Sequence, residues 1–163
     1  MKRIIIVRHA KSVQYGYDDD FHRDLTERGV NDADKISARL HSMGIGADAV
    51  IASPATRTRH TASVFCYNLG FPKEQVRYEE ILYHGLTTQD FIEMLQGLPE
   101  TMKTVVVVGH NPTVYYLVNN LVKYFNGDMP TCSTVAIDFE VEKWNEISAR
   151  KGQIAFHFFP KGM

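Results

Sequence analysis

The sequence predicts an α/β fold: a three-layer α/β/α sandwich with a mostly parallel central sheet that has an antiparallel edge. Two observations predict it. The runs 4–7 and 104–108 are continuous and rich in β-branched residues, which is typical of strands buried on both faces. Strand and helix patterns then alternate four times before two final strands, the order expected of parallel strands joined by crossover helices.

The first half of the chain predicts two strands and two helices. Thr26 and Ser53 precede the helical patterns as side chains able to cap a helix N-terminus, and Pro54 suits a first helical position. The predicted elements are a strand at 4–7, a polar loop at 13–24, a helix from 26 to 44, a strand at 47–52 and a helix at 55–68.

The second half predicts four strands and two helices. Thr87 and Asp90 have the spacing of a capping box, and residues 79–85 favour a loop. The predicted elements are a short strand at 76–78, a helix at 87–98, a strand at 104–108, a helix at 113–124 and strands at 133–141 and 153–159.

Length and composition narrow the class of protein. A chain of 163 residues, 44% apolar and 23% charged, is typical of one soluble globular domain, here 1–163. The net charge of −1 argues against nucleic acid and anionic membranes as partners. The apolar run after Met1 is too short for a signal peptide. Cys66 and Cys132 are too few for a disulfide framework, which favours a reducing cytoplasm.

Polar side chains follow three of the predicted strands. Because the carboxyl ends of parallel strands meet at one edge of a sheet, these side chains are expected to converge there. Guanidinium groups paired with imidazoles suit a phosphate group. The residues concerned are Arg8, His9, Lys11 and Ser12 after the first strand, Arg57 after the second, and His110 and Asn111 after the valine-rich strand.

Three blocks of sequence resemble the signature blocks of the histidine phosphatase superfamily, which has the phosphoglycerate mutase-like fold. They are Arg-His-Ala-Lys-Ser at 8–12, Ser-Pro-Ala-Thr-Arg-Thr-Arg-His-Thr-Ala at 53–62 and Gly-His-Asn-Pro at 109–112. The short chain and the block Arg-Asp-Leu-Thr-Glu-Arg-Gly at 23–29 resemble the compact phosphohistidine phosphatase branch.

The resemblance implies a phosphatase that needs no cofactor. His9 would be the nucleophile, carrying a covalent phosphohistidine, while Arg8, Arg57 and His110 would hold the transferring group. Ser12, Lys11 and Asn111 would add contacts to a phosphorylated small molecule or phosphoprotein. A metal site is not expected, because the arginines would repel a cation and no third ligand accompanies the two histidines.

The general acid is left open. Larger members of the superfamily carry a glutamate after the second arginine block, where this chain has Glu79 and Glu80 without the flanking motif. Asp20 in the first loop is a further candidate. A weakly defined acid suits a phosphoramidate or an aryl phosphate better than an alkyl phosphate. Two other readings remain: mutase-type transfer to a phosphorylated sugar acid, and a phosphate-binding interaction module without turnover.

Overall fold

One mixed sheet with helices on both faces organises the structure, a computed structural model that describes residues 1–162. The helices and strands are β1 (Lys2–Arg8), α1 (Glu27–Ser42), β2 (Ala49–Ala52), α2 (Thr56–Leu69), β3 (Arg77–Tyr78), α3 (Ile81–His84), α4 (Thr88–Gln96), β4 (Thr104–Gly109), α5 (Thr113–Leu121), β5 (Thr134–Phe139) and β6 (Gln153–Phe158).

The strands lie in the order β3-β2-β4-β1-β5-β6. β1 pairs in parallel with β4 on one side and antiparallel with β5 on the other. β2 is parallel to both β3 and β4, whereas β6 is antiparallel to β5. Only β5 therefore runs against the other described strands. The predicted mostly parallel sheet with an antiparallel edge is confirmed.

The continuous apolar run of β1 is explained by helices on both sides of the sheet. Ile4 and Ile6 belong to a core that includes residues of α4 and α5, while Ile5 and Val7 belong to a second core with α1 and α2. All four side chains are fully buried. Full burial of such a side chain contributes about 1.5–3 kcal/mol. Within residues 1–162, no helix combines the length and apolarity that crossing a bilayer requires.

The predicted N-cap of the second helix is wrong, although its predicted start at residue 55 is within one residue of the observed one. α2 begins at Thr56 after Ala55, which provides no side-chain cap, so Ser53 is not its N-cap and Pro54 is not its first residue. Tertiary contacts take precedence here. The Ser53 hydroxyl lies 2.8 Å from Nε2 of His110, and the Ser53 carbonyl accepts a bond from the hydroxyl of Thr58.

Two further boundaries differ from the sequence-based prediction. Residues 81–84 form the short helix α3 rather than a loop, with Leu82 buried in the core. α5 ends at Leu121 rather than 124, because Val122 is extended and pairs with Gly152. The capping box of Thr87 and Asp90 is confirmed.

Candidate active site

A cavity of about 350 Å³ opens at the carboxyl ends of β1 and β4. Every residue that the sequence assigned to a catalytic or substrate-binding role lines it, because the parallel strands bring their ends to one edge. The lining residues are Arg8, His9, Lys11, Ser12, Gln14, Arg23, Arg57, His110, Asn111 and Thr131.

His9 is held as a neutral imidazole with a defined tautomer. Its Nδ1 lies 2.7 Å from the carbonyl oxygen of Ala10. A carbonyl only accepts hydrogen bonds, so Nδ1 carries the proton and Nε2 keeps a lone pair. Burial is the main reason that the pKa of His9 falls from 6.5 to about 4, and the charges of Arg57 and Arg8 lower it further.

His110 lies beside His9, with 5.3 Å between the ring centroids. Burial, aided by His9 and Arg57, lowers the pKa of His110 to about 3, so this ring is also neutral. Its Nε2 contacts Ser53, whereas its Nδ1 is buried with no hydrogen-bond partner among the described residues. The His110 side chain lines the cavity, and this nitrogen is the ring atom whose hydrogen-bonding capacity is unused among the described residues.

The two arginines also present unpaired donors. Arg8 donates through Nη1 to the carbonyl of Met129, which accepts from Asn111 as well, both at 3.0 Å. Nε of Arg8 and Nε of Arg57 are buried and lack a partner within residues 1–162. Buried donors without partners are costly. Together with the positive charge, they favour a tetrahedral anion as the ligand of this cavity.

Of the three candidate acids, only Asp20 lies in this group of side chains. Its carboxylate accepts from Nη2 of Arg57 at 3.0 Å and from the hydroxyl of Tyr83 at 2.8 Å. Glu79 instead pairs with Arg77, and Glu80 lies 3.5 Å from His84. None of the three lines the cavity, but Asp20 contacts Arg57, which does.

Asp20 is an anion rather than a proton donor. Partial burial raises its pKa, but hydrogen bonds from Arg23, Tyr83 and Arg57 outweigh that effect and hold the pKa well below the usual range. The ionised carboxylate accepts a hydrogen bond from an N–H group of Arg57 to which a phosphate group would also bind.

Arg23 and Ser53 are site residues that the sequence-based assignment missed. Arg23 donates through Nη1 to the hydroxyl of Ser12 at 3.0 Å and to the carbonyl of Val13 at 2.8 Å. It belongs to the block 23–29 on which the resemblance rested, and this was the available signal. Ser53 also stands in such a block, but it was interpreted as a helix cap. Gln14 and Thr131 carried no such signal.

The cavity contains no evident metal site. Among residues 1–162, no group of three or more His, Cys, Asp or Glu side chains is arranged to hold a metal ion. The groups facing the cavity are mostly cationic or neutral donors, and these suit an anion.

The sequence model of the histidine phosphatase superfamily (branch 1) matches residues 4–103, more than half of the chain. The chain therefore belongs to the histidine phosphatase superfamily, as its sequence predicted. The matched segment includes His9, Arg57 and Asp20, whereas His110 and Asn111 lie beyond its end.

Curated relatives match part of this chain. The mitochondrial serine/threonine-protein phosphatase Pgam5 of Drosophila grimshawi is 36% identical over 84 residues, which cover 52% of this chain and 29% of that protein. Pgam5 of Drosophila melanogaster is 39% identical over 75 residues, 46% of this chain and 26% of that protein. The match thus spans less than a third of the length of these relatives.

Solved structures match nearly the whole chain. The protein histidine phosphatase SixA, complexed with tungstate, superposes with a TM-score of 0.85 at 20% identity and covers 98% of both chains. The SixA protein of Agrobacterium tumefaciens gives a TM-score of 0.81 at 20% identity, again over 98% of both chains. The fold is therefore the phosphoglycerate mutase-like fold in its compact form.

Proposed function

We propose that this protein is a phosphatase that hydrolyses its substrate through a covalent phosphohistidine at His9. The observation that carries the proposal is the 2.7 Å contact from Nδ1 of His9 to the carbonyl of Ala10. It leaves Nε2 as the nucleophilic nitrogen of a neutral ring in an anion-attracting cavity. Membership of the superfamily supports the same role.

The reaction proceeds in two displacements. The lone pair of Nε2 attacks phosphorus while the bond from phosphorus to the leaving atom breaks, and its electron pair departs with the leaving group. Water then attacks the phosphorus of phospho-His9. The P–N bond breaks, its electron pair returns to Nε2, and the proton of the water passes to solvent. Arg8, Arg57 and Nδ1 of His110 offset the charge that builds on the phosphoryl oxygens.

The best substrate of this site is a phosphoryl group on a good leaving atom. An alkoxide needs a proton as it leaves, and Asp20 is ionised and bound by arginine. A phosphohistidine whose second ring nitrogen is protonated leaves as neutral imidazole without a proton from the enzyme. We therefore propose phosphohistidine in a protein as the preferred substrate, followed by aryl phosphates. The names of SixA and Pgam5, both protein phosphatases, support a phosphoprotein.

Rapid-quench mass spectrometry tests the proposal. Wild-type protein, His9→Ala and the control His41→Ala, which changes an exposed histidine on α1, are mixed with an aryl phosphate and quenched without acid. We expect a transient adduct of one phosphoryl group and release of phosphate in the wild type and the control, and neither in His9→Ala. Phosphate binding without adduct or turnover would instead indicate an interaction module. Transfer to an added sugar acid in preference to water would indicate a mutase.

A further inference from the structure

A second cleft adjoins the catalytic cavity. The two share Lys11 and Thr131, so they are contiguous at Lys11. Its volume is about 200 Å³. The remaining lining residues are Arg28, Asp32, Pro130, Pro160 and Lys161.

The cleft is positively charged. Lys11, Arg28 and Lys161, which we call the cationic shelf, have exposed side chains. Asp32 is the one acidic residue in this lining, and its carboxylate lies 3.8 Å from Nε of Arg28. Among the residues that the structure describes, two of the three positive charges therefore have no carboxylate partner, in a chain whose net charge is −1. Such a local field attracts anions.

The shelf is fixed to the strand that carries His9. The carbonyl oxygen of Lys11 accepts bonds from the backbone N–H of Thr26 at 2.9 Å and from its hydroxyl at 3.3 Å. Gly29 packs against the same carbonyl so closely that a Cβ there would lie 2.1 Å from the oxygen. The first turn of α1, with Arg28, is thus held beside Lys11. Lys161 follows the carboxyl end of β6, a strand that runs in the same direction as β1.

The shelf continues into a longer trough. A third cleft, of about 560 Å³, shares Arg28, Asp32, Pro160 and Lys161 with the second. It adds Glu27, Asn31 and Lys35 from α1. The three connected clefts extend well beyond the volume of one phosphoryl group, and their outer part is open to solvent. This shape suits a segment of a protein chain rather than a small metabolite.

We propose that the cationic shelf binds carboxylates of an acidic segment that flanks the phosphorylated residue of a protein substrate. The shelf is thereby a determinant of specificity that lies outside the phosphoryl site. The proposal rests on the phosphatase function proposed above. Acidic and neutral segments that carry the same phosphorylated residue place the same phosphoryl group in the catalytic cavity. The shelf is therefore what distinguishes the two kinds of segment.

Peptides that carry one phosphohistidine test the shelf. Two peptides, one with Glu and Asp on both sides of the phosphohistidine and one with Gln and Ser, are hydrolysed by wild type, Arg28→Gln, Lys161→Gln and the double variant. An aryl phosphate serves as the small probe. Lys151→Gln is the matched control, because Lys151 is exposed and precedes β6, at the end of that strand opposite to Lys161.

At low salt we expect wild type to prefer the acidic peptide. Each single variant should lower kcat/KM for that peptide about two- to fivefold, the range of an exposed ion pair, and the double variant about tenfold. Raising the salt concentration should remove the preference. Activity on the neutral peptide and the aryl phosphate should not change, and Lys151→Gln should behave as wild type.

Three adverse outcomes are distinguishable. Equal kcat/KM of the wild type and the double variant on the acidic peptide, with normal turnover of all probes, would overturn the shelf but leave the phosphatase intact. An absence of turnover with every probe would overturn the proposed function itself. A loss that is equal for all three probes would assign the two side chains to the fold rather than to substrate recognition, and would also overturn the proposal.

Discussion

The hydroxyl of Ser53 lies 2.8 Å from Nε2 of His110, although 57 residues separate them in sequence. The same hydroxyl accepts a bond from the backbone N–H of Ala55 at 3.3 Å, and we assign its own proton to the contact with Nε2. His110 then carries its hydrogen on Nδ1, the nitrogen without a partner among the described residues. We propose that Ser53 is a positioning residue, which makes His110 a donor to the phosphoryl group.

Ser53→Ala should therefore reduce kcat more than stability. Without the hydroxyl, either tautomer of His110 is accessible, and we expect kcat for an aryl phosphate to fall about tenfold, below the 10²–10³ of a full donor deletion. Ser133→Ala is the control, since Ser133 is buried, its hydroxyl has no partner within residues 1–162, and it does not line the cavity. Equal activity of the two variants in steady-state assays would refute the role of Ser53.

Arg57 and Arg59 stand two residues apart on α2 and face different surroundings. Arg57 lines the catalytic cavity, whereas the guanidinium of Arg59 lies 4.0 Å from the ring centre of Tyr78. Arg57→Lys should lower kcat/KM by about 10²–10³, because a lysine lacks the paired donors. Arg59→Lys should leave it within about twofold. Steady-state kinetics on one aryl phosphate compares them, and similar losses in both would contradict the assignment.

Asp20→Asn tests whether Asp20 is a proton donor or an anion that competes with the substrate for the arginines. The carboxylate is bound by Arg57 and Arg23, so its removal should make both guanidiniums more available to an oxyanion. We expect the inhibition constant of tungstate or phosphate to fall about threefold to tenfold, with kcat for an aryl phosphate little changed. A large loss of kcat that grows as the leaving group becomes more basic would instead identify Asp20 as the general acid.

Stability should depend on pH through His9. Because the pKa of His9 falls from 6.5 to about 4 on folding, the unfolded chain takes up a proton first as the pH drops. The free energy of unfolding should thus be greatest above pH 6.5 and decrease down to about pH 4, by about 3 kcal/mol from His9 alone. Urea unfolding at several pH values should give a flatter profile for His9→Asn. Parallel profiles would contradict the buried neutral state.

The packing of α1 can be tested by adding a methyl group at Gly29, where space is tight, and at Gly46, where space is open. A Cβ at Gly29 would meet the Lys11 carbonyl, a backbone atom that cannot move aside, whereas a Cβ at Gly46 would meet nothing within 4 Å. We expect Gly29→Ala to destabilise by about 1–3 kcal/mol and Gly46→Ala by less than about 0.5 kcal/mol. Chemical denaturation of both variants measures this. A neutral Gly29→Ala would show that α1 is not packed against Lys11 in this way.

The sequence predicted the sheet and the strand-end residues for physical reasons. The runs 4–7 and 104–108 lie between two helical layers, so their continuous apolar character was a direct signal of burial. His9, Arg57 and His110 follow strands that end at one edge, and topology alone brings them to the same cavity. Their separation along the chain was no obstacle to that prediction.

The remaining parts depend on contacts that have no local signature. Asp20 could not be separated from Glu79 and Glu80, because its place is set by Arg57 and Tyr83, which are 37 and 63 residues away. Ser53 met the local rule for a helix cap, but a partner on the neighbouring strand end uses its hydroxyl. In both cases hydrogen bonds between distant residues decided a position that propensity left undetermined.

β1 lies inside the sheet and is paired along its length with β4 and β5. A strand in this position exchanges its amide hydrogens only when the whole domain opens, whereas edge segments open locally. His9 follows the end of this strand directly. Heat or denaturant should therefore displace His9 from the site in the same cooperative transition that unfolds the domain. Folded molecules in which His9 is displaced are not expected. The fraction of activity that remains should then equal the fraction of molecules that are still folded.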